Sequence, residues 1–335
     1  MDRDPFLEEV PEQTARAAWL YYVGGYRQEQ TAKLLGISRL KVHKILAEAR
    51  DLGIVKISIQ HRFARIAEVE ETIRRKYSLK FCRVTPPLVA ESSKKPASPT
   101  QAQLTEQGPI ARRGVSIVAA ELLDKKLRAN ERSVIGIGWG RTISQIPIHL
   151  TGTSKPKAKF VSVIGSLTRT SATNPLDVAS LFARMTGAEG HFLPVPYIAN
   201  TVADRQVLMS QTVFQETLAL AQKATFFLIS LGRFDENSPL YKQRHLSAAD
   251  VRGLKQAGAV CDFMGKFFDV EGRIVDHDAN ERTLAVDLKH LHKRDVILLA
   301  AGQEKLSGVR GLLKAGLASG LVIDGDSAFG LAQMD

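Results

Sequence analysis

The sequence predicts an α/β protein in which a small helical segment precedes a large domain built on a mostly parallel sheet. Residues 12–52 contain three helical patterns in close succession. The rest of the chain alternates short apolar strands with helical segments, an order that is typical of parallel sheets. With 335 residues, the chain exceeds one typical domain. We expect a domain over 1–60, a connecting helix over 61–80 and a large domain over 81–335.

Composition and charge narrow the classes of function. The net charge of +11 favours a polyanionic partner. No run of about 18 uncharged apolar residues is present and the first residues lack an apolar segment, so we expect a cytoplasmic protein without a membrane span. Cys82 and Cys261 stand outside any metal-binding motif, and the histidines lack metal-binding spacing. We therefore expect free thiols, no metal and no cofactor.

The first helical pattern spans residues 12–23 and ends at a pair of glycines. Apolar residues recur in it at the spacing of one helix face, namely Ala15, Ala18, Trp19 and Tyr22. This spacing predicts that the four side chains face the core of the small domain.

Two further helical patterns, over 28–35 and 39–52, flank the turn Gly36-Ile37-Ser38. Ser38 is a good N-cap for the second of them. A helix, a short turn with glycine and another helix form a helix-turn-helix, whose second helix enters the DNA major groove. Basic residues outnumber acidic ones by six to two between residues 26 and 50, which supports DNA binding. The alternative is an ordinary helical bundle with a solvated basic face.

The second helix of the motif supplies most of the predicted DNA contacts. Arg39 and Lys41 suit guanine acceptors, and His43 can donate a hydrogen bond. The predicted DNA-binding residues are Gln28, Ser38, Arg39, Lys41, Val42, His43 and Lys44. The residues predicted to face inward are Leu40, Ile45 or Leu46, and Ala49, packed against Leu34, Leu35 and Trp19. Residues 54–59 alternate apolar and polar side chains, which predicts a wing strand.

Two segments join the domains. Residues 63–77 carry Ile66, Val69 and Ile73 on one side and charges on the other, which predicts an amphipathic helix. It either connects the domains or packs across a dimer; the alternative is an ordinary surface helix of the large domain. Residues 91–109 are polar and contain proline and serine throughout, which predicts a flexible loop.

A glycine-rich turn follows the apolar strand 133–137 in the large domain. Its residues are Gly138, Trp139, Gly140, Arg141 and Thr142. A dinucleotide site is weakly supported because the G-x-G-x-x-G pattern is absent, and a Walker A loop is excluded because G-K-[ST] is missing. The turn is either a plain strand-to-helix connection or a cradle for a phosphate or sugar hydroxyls at a helix N-terminus.

Further strands are predicted over 160–164, 224–230, 296–301 and 321–324. Ligands of parallel sheets bind beyond the carboxyl ends of the strands. The turns after these strands therefore add Gly165, Ser166, Arg233 and Lys305 to the candidate ligand-binding residues.

Both halves of the chain resemble a known family. The stretch GISRLKVHKILAEARDLGIV and the blocks GIGWGRT, SLGRFD and NERTLAVDLKHL resemble the SorC family of sugar- and polyol-responsive regulators. RAAWLYYVGG is similar to the erythritol-catabolism repressors within it. The resemblance covers nearly the whole chain except 1–11 and 91–109. It implies a Rossmann-like effector domain, similar in fold to ribose-phosphate isomerase and glucosamine-phosphate deaminase, that binds sugars or sugar phosphates without turning them over.

The resemblance also implies roles for individual residues. Gly138, Gly140, Arg141 and Thr142 match the phosphate-type loop, and Arg233 follows the glycine of a later turn. Asp262 matches an acidic residue that faces sugar hydroxyls, and Lys305 matches an anion partner. The chain departs from the family where Cys261 and Gln303 replace glycines, which leaves a free polyol as an alternative to a phosphorylated effector.

These observations together predict a DNA-binding regulator without enzyme activity. We expect a repressor of a carbohydrate or polyol catabolic operon, switched by a sugar, polyol or sugar-phosphate effector and assembled as a homodimer or homotetramer. The alternative is a sugar-phosphate isomerase or deaminase with an added DNA-binding segment. No recognisable pair of catalytic carboxylates supports that alternative.

Overall fold

The computed structural model describes residues 11–55, 64–88, 101–150, 154–166, 175–235 and 238–334. The chain divides into two compact units, Met1–His61 and Arg62–Asp335.

Three helices form the described part of the small unit. They are α1 (Glu12–Ala18, continued by a π-helical turn over Trp19–Val23), α2 (Gln28–Leu35) and α3 (Arg39–Asp51). Helix α2 ends at Gly36, which adopts the left-handed conformation with a φ of 64°. The hydroxyl of Ser38 accepts a hydrogen bond from the Lys41 N–H at 3.1 Å and so caps α3. The predicted turn and cap are therefore present.

The core of the small unit differs from the predicted one. Its buried residues on α1 and α3 include Ala17, Ala18, Val42, Ile45, Leu46 and Ala49. Ala18 is buried and Tyr22 packs against the same core, as predicted, whereas Ala15 and Trp19 are exposed, so the predicted inner face is wrong at these two positions. Small alanines on α1 allow α3 to approach closely, which a tryptophan at the contact would prevent.

The inward position predicted for Leu40 is also wrong, because its side chain is 65% exposed. Val42 takes the inward position instead. Ile54 and Val55 pack against the small core as bend residues, and the remainder of the predicted wing strand lies outside the described residues.

The large unit is built on two sheets. Its helices are α4 (Ala64–Lys76), α5 (Gln101–Ala129), α6 (Pro175–Thr186), α7 (Val202–Ser210), α8 (Thr212–Gln222), α9 (Pro239–Lys242), α10 (Ala248–Gln256), α11 (Ala279–Arg282), α12 (Leu306–Lys314) and α13 (Gly325–Gln333). Its strands are β1 (Phe81–Val84), β2 (Val134–Ile137), β3 (Lys159–Ser162), β4 (Glu189–His191), β5 (Phe226–Ser230), β6 (Gly232–Arg233), β7 (Cys261–Phe263), β8 (Lys266–Phe268), β9 (Asp295–Ala300) and β10 (Gly320–Ile323).

The main sheet has seven parallel strands in the order β1-β10-β9-β5-β2-β3-β4. Its central strands β5 and β9 have runs of four or five apolar residues, as expected for strands that helices cover on both faces. Side chains of α5 and α6 pack on one face, and those of α4, α8, α12 and α13 pack on the other. The second sheet, β6-β7-β8, is antiparallel and follows directly from β5.

The structure agrees with one interpretation of the first joining segment and contradicts part of the prediction for the second. Helix α4 packs on β1 and α13 within the large unit, with Ile73 fully buried, which agrees with the surface-helix interpretation. Its contact with a dimer partner stays a prediction. Residues 101–109 belong to α5, so that part of the predicted loop is wrong; residues 91–100 lie outside the described residues. Glutamine, alanine, leucine and glutamate are good helix formers and extend the helix towards its N-terminus.

Candidate functional site

The order of the strands reverses between the neighbouring strands β2 and β5, and such a switch point places a crevice beyond the carboxyl ends of the two strands. The chain continues from β2 to β3 and β4 on one side, and from β5 to β9 and β10 on the other. Ligands of open parallel sheets bind at such a switch point, outside the carboxyl ends of the strands. The turns after β2, β3, β5 and β9 occupy this edge of the sheet. They carry the residues that the sequence predicted as effector contacts.

The glycine-rich turn after β2 is held by the neighbouring strand. The Gly138 N–H donates to the Leu228 carbonyl at 2.9 Å, and Gly140 adopts a φ of 131° that side chains rarely allow. Thr142 is buried and Arg141 is exposed. Two 3-10 turns, Ile143–Gln145 and Pro147–His149, follow instead of an α-helix, because Pro147 interrupts regular hydrogen bonding. The helix N-terminus expected to bind an anion is therefore absent from this turn.

The turns after β3 and β5 support the site through backbone contacts. A Cβ at Gly165 would lie 2.2 Å from the Pro196 carbonyl oxygen, so only glycine permits this approach. The Ser166 N–H donates to the Val195 carbonyl at 2.8 Å. Both residues hold the segment 195–199 against the sheet edge. Arg233 forms an ion pair with Asp235 at 2.5 Å between Nε and Oδ2.

Asp262 is a buried carboxyl group beside the crevice. It lies opposite Gly232 in the β6–β7 pair, and a Cβ at Gly232 would come within 1.9 Å of its Oδ1. Burial raises the pKa of Asp262 to about 7, although the nearby Lys305 and the Tyr197 phenol oppose this rise. Its Oδ1 has no hydrogen-bond partner among the described residues. A buried acceptor without a partner is suited to a donor from a ligand.

Tyr197 faces this carboxyl group and was missed by the sequence analysis. It is fully buried, and its hydroxyl lies against the Asp262 carboxyl group. Burial raises the pKa of Tyr197 well above its ordinary value, and the charge of Asp262 adds to this effect. The ring of Trp139 packs edge-on against it, with centroids 6.2 Å apart. Tyr197 lies in an irregular segment between β4 and α7, where no motif marks it.

Three cations surround the same edge of the sheet. Burial lowers the pKa of Lys305 to about 8; the positive charges of Arg141 and Arg112 add to this effect, and Glu304 opposes it. Burial likewise lowers the pKa of Arg112, with a further contribution from Arg141. The Nε of Arg112 is buried without a hydrogen-bond partner among the described residues. Mutual repulsion of partly buried cations favours an anionic ligand. Arg112 was missed because it lies on α5, beside the predicted loop.

Both departures from the family pattern are accommodated by the fold. The Cys261 side chain is buried against α12, where a Cβ at Gly308 would lie 3.0 Å from its Sγ. The Gln303 amide donates to the Asp326 carbonyl at 3.5 Å. The Gly302 N–H donates to Oδ2 of Asp324 at 2.8 Å. These contacts hold the turn that carries Lys305.

The predicted DNA-binding residues lie on α2, α3 and the turn between them. Arg39, Lys41, His43 and Lys44 are exposed on α3, and Ser38 is its exposed N-cap. Gln28 is half-buried at the start of α2. Val42 is 0% exposed, so its predicted DNA contact is wrong. Its side chain belongs to the core that holds α3 against α1.

Comparison with known proteins agrees with both parts of the fold. Residues 61–331 match the family model described as "Putative sugar-binding domain". The chain is 29% identical to the erythritol catabolism regulatory protein EryD of Brucella abortus over 92% of both chains. It is 26% identical to the deoxyribonucleoside regulator of Bacillus subtilis over 96% of this chain and 97% of the relative. The full-length sorbitol operon regulator SorC of Klebsiella pneumoniae superimposes with a TM-score of 0.70 at 22% identity, covering 96% of this chain and 98% of that one.

A helix-turn-helix unit and a sugar-binding α/β unit define a sugar-responsive transcriptional regulator. The chain belongs to this sugar-binding-domain family of regulators, the SorC family. It binds DNA and a sugar effector, and it is a regulator rather than an enzyme. The predictions of family, fold class and regulatory function are thereby confirmed. Within the described ranges, the helices are too short or too polar to cross a membrane.

Proposed function

We propose that this protein is a cytoplasmic repressor of a carbohydrate or polyol catabolic operon and that a phosphorylated sugar or polyol releases it from its operator. Its relatives are named for erythritol catabolism, deoxyribonucleosides and the sorbitol operon, which supports a small polyhydroxylated effector class. A homodimer or homotetramer would match two operator half-sites, as helix-turn-helix proteins commonly do.

The DNA-binding role is proposed for the exposed surface around the N-terminus of α3. Arg39, Lys41 and Lys44 supply positive charge there, and His43 supplies a hydrogen-bond donor. Gln28 and Ser38 are assigned to the backbone of the same half-site, since the first turns of α2 and α3 adjoin in this motif.

The effector role is proposed for the crevice beyond the carboxyl ends of β2 and β5. Arg112, Arg141 and Lys305 would bind a phosphate, together with N–H groups of residues 139–142. Asp262 and Tyr197 would accept and donate hydrogen bonds to the hydroxyls of the same molecule. The observation that carries the proposal is the combination of mutually repelling cations with a buried, unpartnered carboxyl oxygen at the switch point.

The remaining predicted contacts have supporting roles in this proposal. Trp139 positions the Tyr197 ring, and Gly165 and Ser166 hold the segment that carries it. Arg233 would act through its ion pair with Asp235 at the start of the small sheet.

A thermal-shift screen of the full chain against polyols, sugars and their phosphates tests the effector class. A ligand at 100 times its Kd stabilises the native state by about 2.7 kcal/mol, which raises the melting temperature by several degrees. We expect one phosphorylated compound to raise it and to release a bound DNA duplex. The Lys305→Met variant should lose both responses and keep its DNA binding.

Two results would contradict the proposal. A shift only with neutral polyols would remove phosphate from the assignment of Arg112, Arg141 and Lys305. Turnover of ribose 5-phosphate or glucosamine 6-phosphate by the purified protein would contradict a purely regulatory role.

A further inference from the structure

Helix α3 has an apolar side chain at the centre of its outer face. At about 100° per residue, Leu40 lies about 200° around the helix axis from Val42 and therefore opposite the core. Val42, Ile45, Leu46 and Ala49 form the buried face. Leu40 is 65% exposed, whereas the other apolar residues in the first two turns, Val42 and Ile45, are buried.

The neighbours of Leu40 define which face of α3 points away from the core. His43 and Lys44 follow it by three and four residues and share its face. Arg39 and Lys41 lie about 100° to either side of Leu40, on the flanks of the helix. An isolated exposed leucine is common on protein surfaces. This one is informative because it occupies the second helical position after the Ser38 cap, in the turn that leads into the major groove.

The chemistry of the major groove offers one apolar partner, the 5-methyl group of thymine. Lysine and arginine side chains on the flanks of the helix point towards the walls of the groove. They therefore reach the phosphates more readily than the base edges on the floor of the groove. The burial pattern therefore changes the roles expected from residue type alone, in which Arg39 and Lys41 read guanines.

We propose that Leu40 reads the 5-methyl group of one thymine in each operator half-site, while Arg39 and Lys41 contact the flanking phosphates. This inference rests on the proposed DNA-binding function of α3. It adds a specificity-determining residue and the identity of the base that this residue recognises.

Replacing single thymines by uracil in the operator removes the methyl group and leaves every hydrogen-bonding group unchanged. The operator is first selected from a random duplex library with the full chain. Kd is then measured for duplexes in which one symmetric pair of thymines is replaced at a time. Loss of one buried methyl group weakens binding about fourfold for one half-site and about 15-fold for both.

The Leu40→Ala variant, measured on the same duplexes, completes a double-mutant cycle between Leu40 and the thymine methyl group. We expect one thymine pair to show this loss with the wild-type protein and nearly no loss with the variant, since the contact is already missing. Leu34→Ala is the matched control, because Leu34 is a similarly exposed leucine on α2; it should retain the wild-type discrimination. Far-ultraviolet circular dichroism melts verify that both variants fold.

Distinct outcomes separate the inference from the function on which it rests. Selective duplex binding without thymine-uracil discrimination at any position, or equal discrimination by wild type and Leu40→Ala, overturns the role of Leu40 and leaves DNA binding intact. A selection that enriches no sequence refutes both the operator-binding function and the inference. Guanine-specific losses that follow Arg39→Ala or Lys41→Ala overturn the phosphate assignment.

Discussion

Replacing Asp262 by asparagine should change how stability depends on pH. Burial raises the pKa of this carboxyl group to about 7 in the folded protein, from an ordinary value of 3.8. Between these two pH values the folded state holds the proton while the unfolded chain releases it. The folded state therefore binds more protons, and its free energy of unfolding decreases as the pH rises through this range.

The structure gives the size of this effect. A difference of about three pH units between the two pKa values corresponds to about 4 kcal/mol at pH above 7. Asparagine has nearly the same shape and no titrating proton, so Asp262→Asn should gain up to about 4 kcal/mol relative to wild type between pH 4 and pH 7.5. The loss of a negative charge beside Lys305 opposes this gain, which makes the figure an upper limit.

Urea unfolding of both proteins across pH 4–7.5 measures the effect. The chain contains two tryptophans, one in each unit, so a Trp19→Phe background makes Trp139 beside the site the only reporter. Trp19 is exposed, and its replacement should alter stability by less than about 0.5 kcal/mol. The difference in unfolding free energy between the variants cancels contributions from all other carboxyl groups. A difference that stays constant with pH, or that decreases as the pH rises, would refute the reasoning.

Four further predictions concern the small unit and the crevice. Val42→Ala should destabilise the small unit by about 2 kcal/mol in a denaturation experiment because two buried methyl groups are lost. Lys44→Ala should leave stability unchanged and reduce the slope of log K for DNA binding against log salt concentration by about one. Gly232→Ala should destabilise the large unit by about 1–3 kcal/mol through the clash with the carboxyl oxygen of Asp262, and the loss should largely disappear in the Gly232→Ala/Asp262→Ala double variant. Arg112→Met should weaken a phosphorylated effector about tenfold in calorimetric titrations while the Kd for operator DNA stays constant; equal weakening of both would contradict its assignment to the effector.

Local features of the helix-turn-helix could be predicted from the sequence, whereas the orientation of its helices could not. The Gly36 turn and the Ser38 cap depend on residues within three or four positions, so the sequence alone indicates them. Which side of α1 and of α3 faces the core depends on residues farther apart in the sequence. A shift of two positions exchanges Leu40 for Val42 on the buried side, and both are apolar, so the hydrophobic pattern permits either orientation. Packing against the alanines of α1 decides which one is adopted.

The effector site likewise contains some residues that the sequence predicted and others that only the folded structure brings in. Glycine-ended turns after apolar strands predicted Arg141 and Lys305, because each follows a strand whose pattern is readable from the chain itself. Asp262 was predicted only from the resemblance to the SorC family. Arg112 and Tyr197 carry no such pattern. They come from a helix and an irregular segment, and they join the site only through the order of the strands.

The sequence by itself determined the two-unit organisation, the capped DNA-binding motif and the parallel sheet, because turn chemistry and hydrophobic periodicity act over a few residues. The tertiary structure alone decided that β2 and β5 lie side by side at the switch point of the sheet. It also decided that the Asp262 carboxyl group and the cations Arg112 and Lys305 are withdrawn from water beside the exposed Arg141. The pKa values and unpartnered atoms of that site result from burial, a property of the packed chain as a whole.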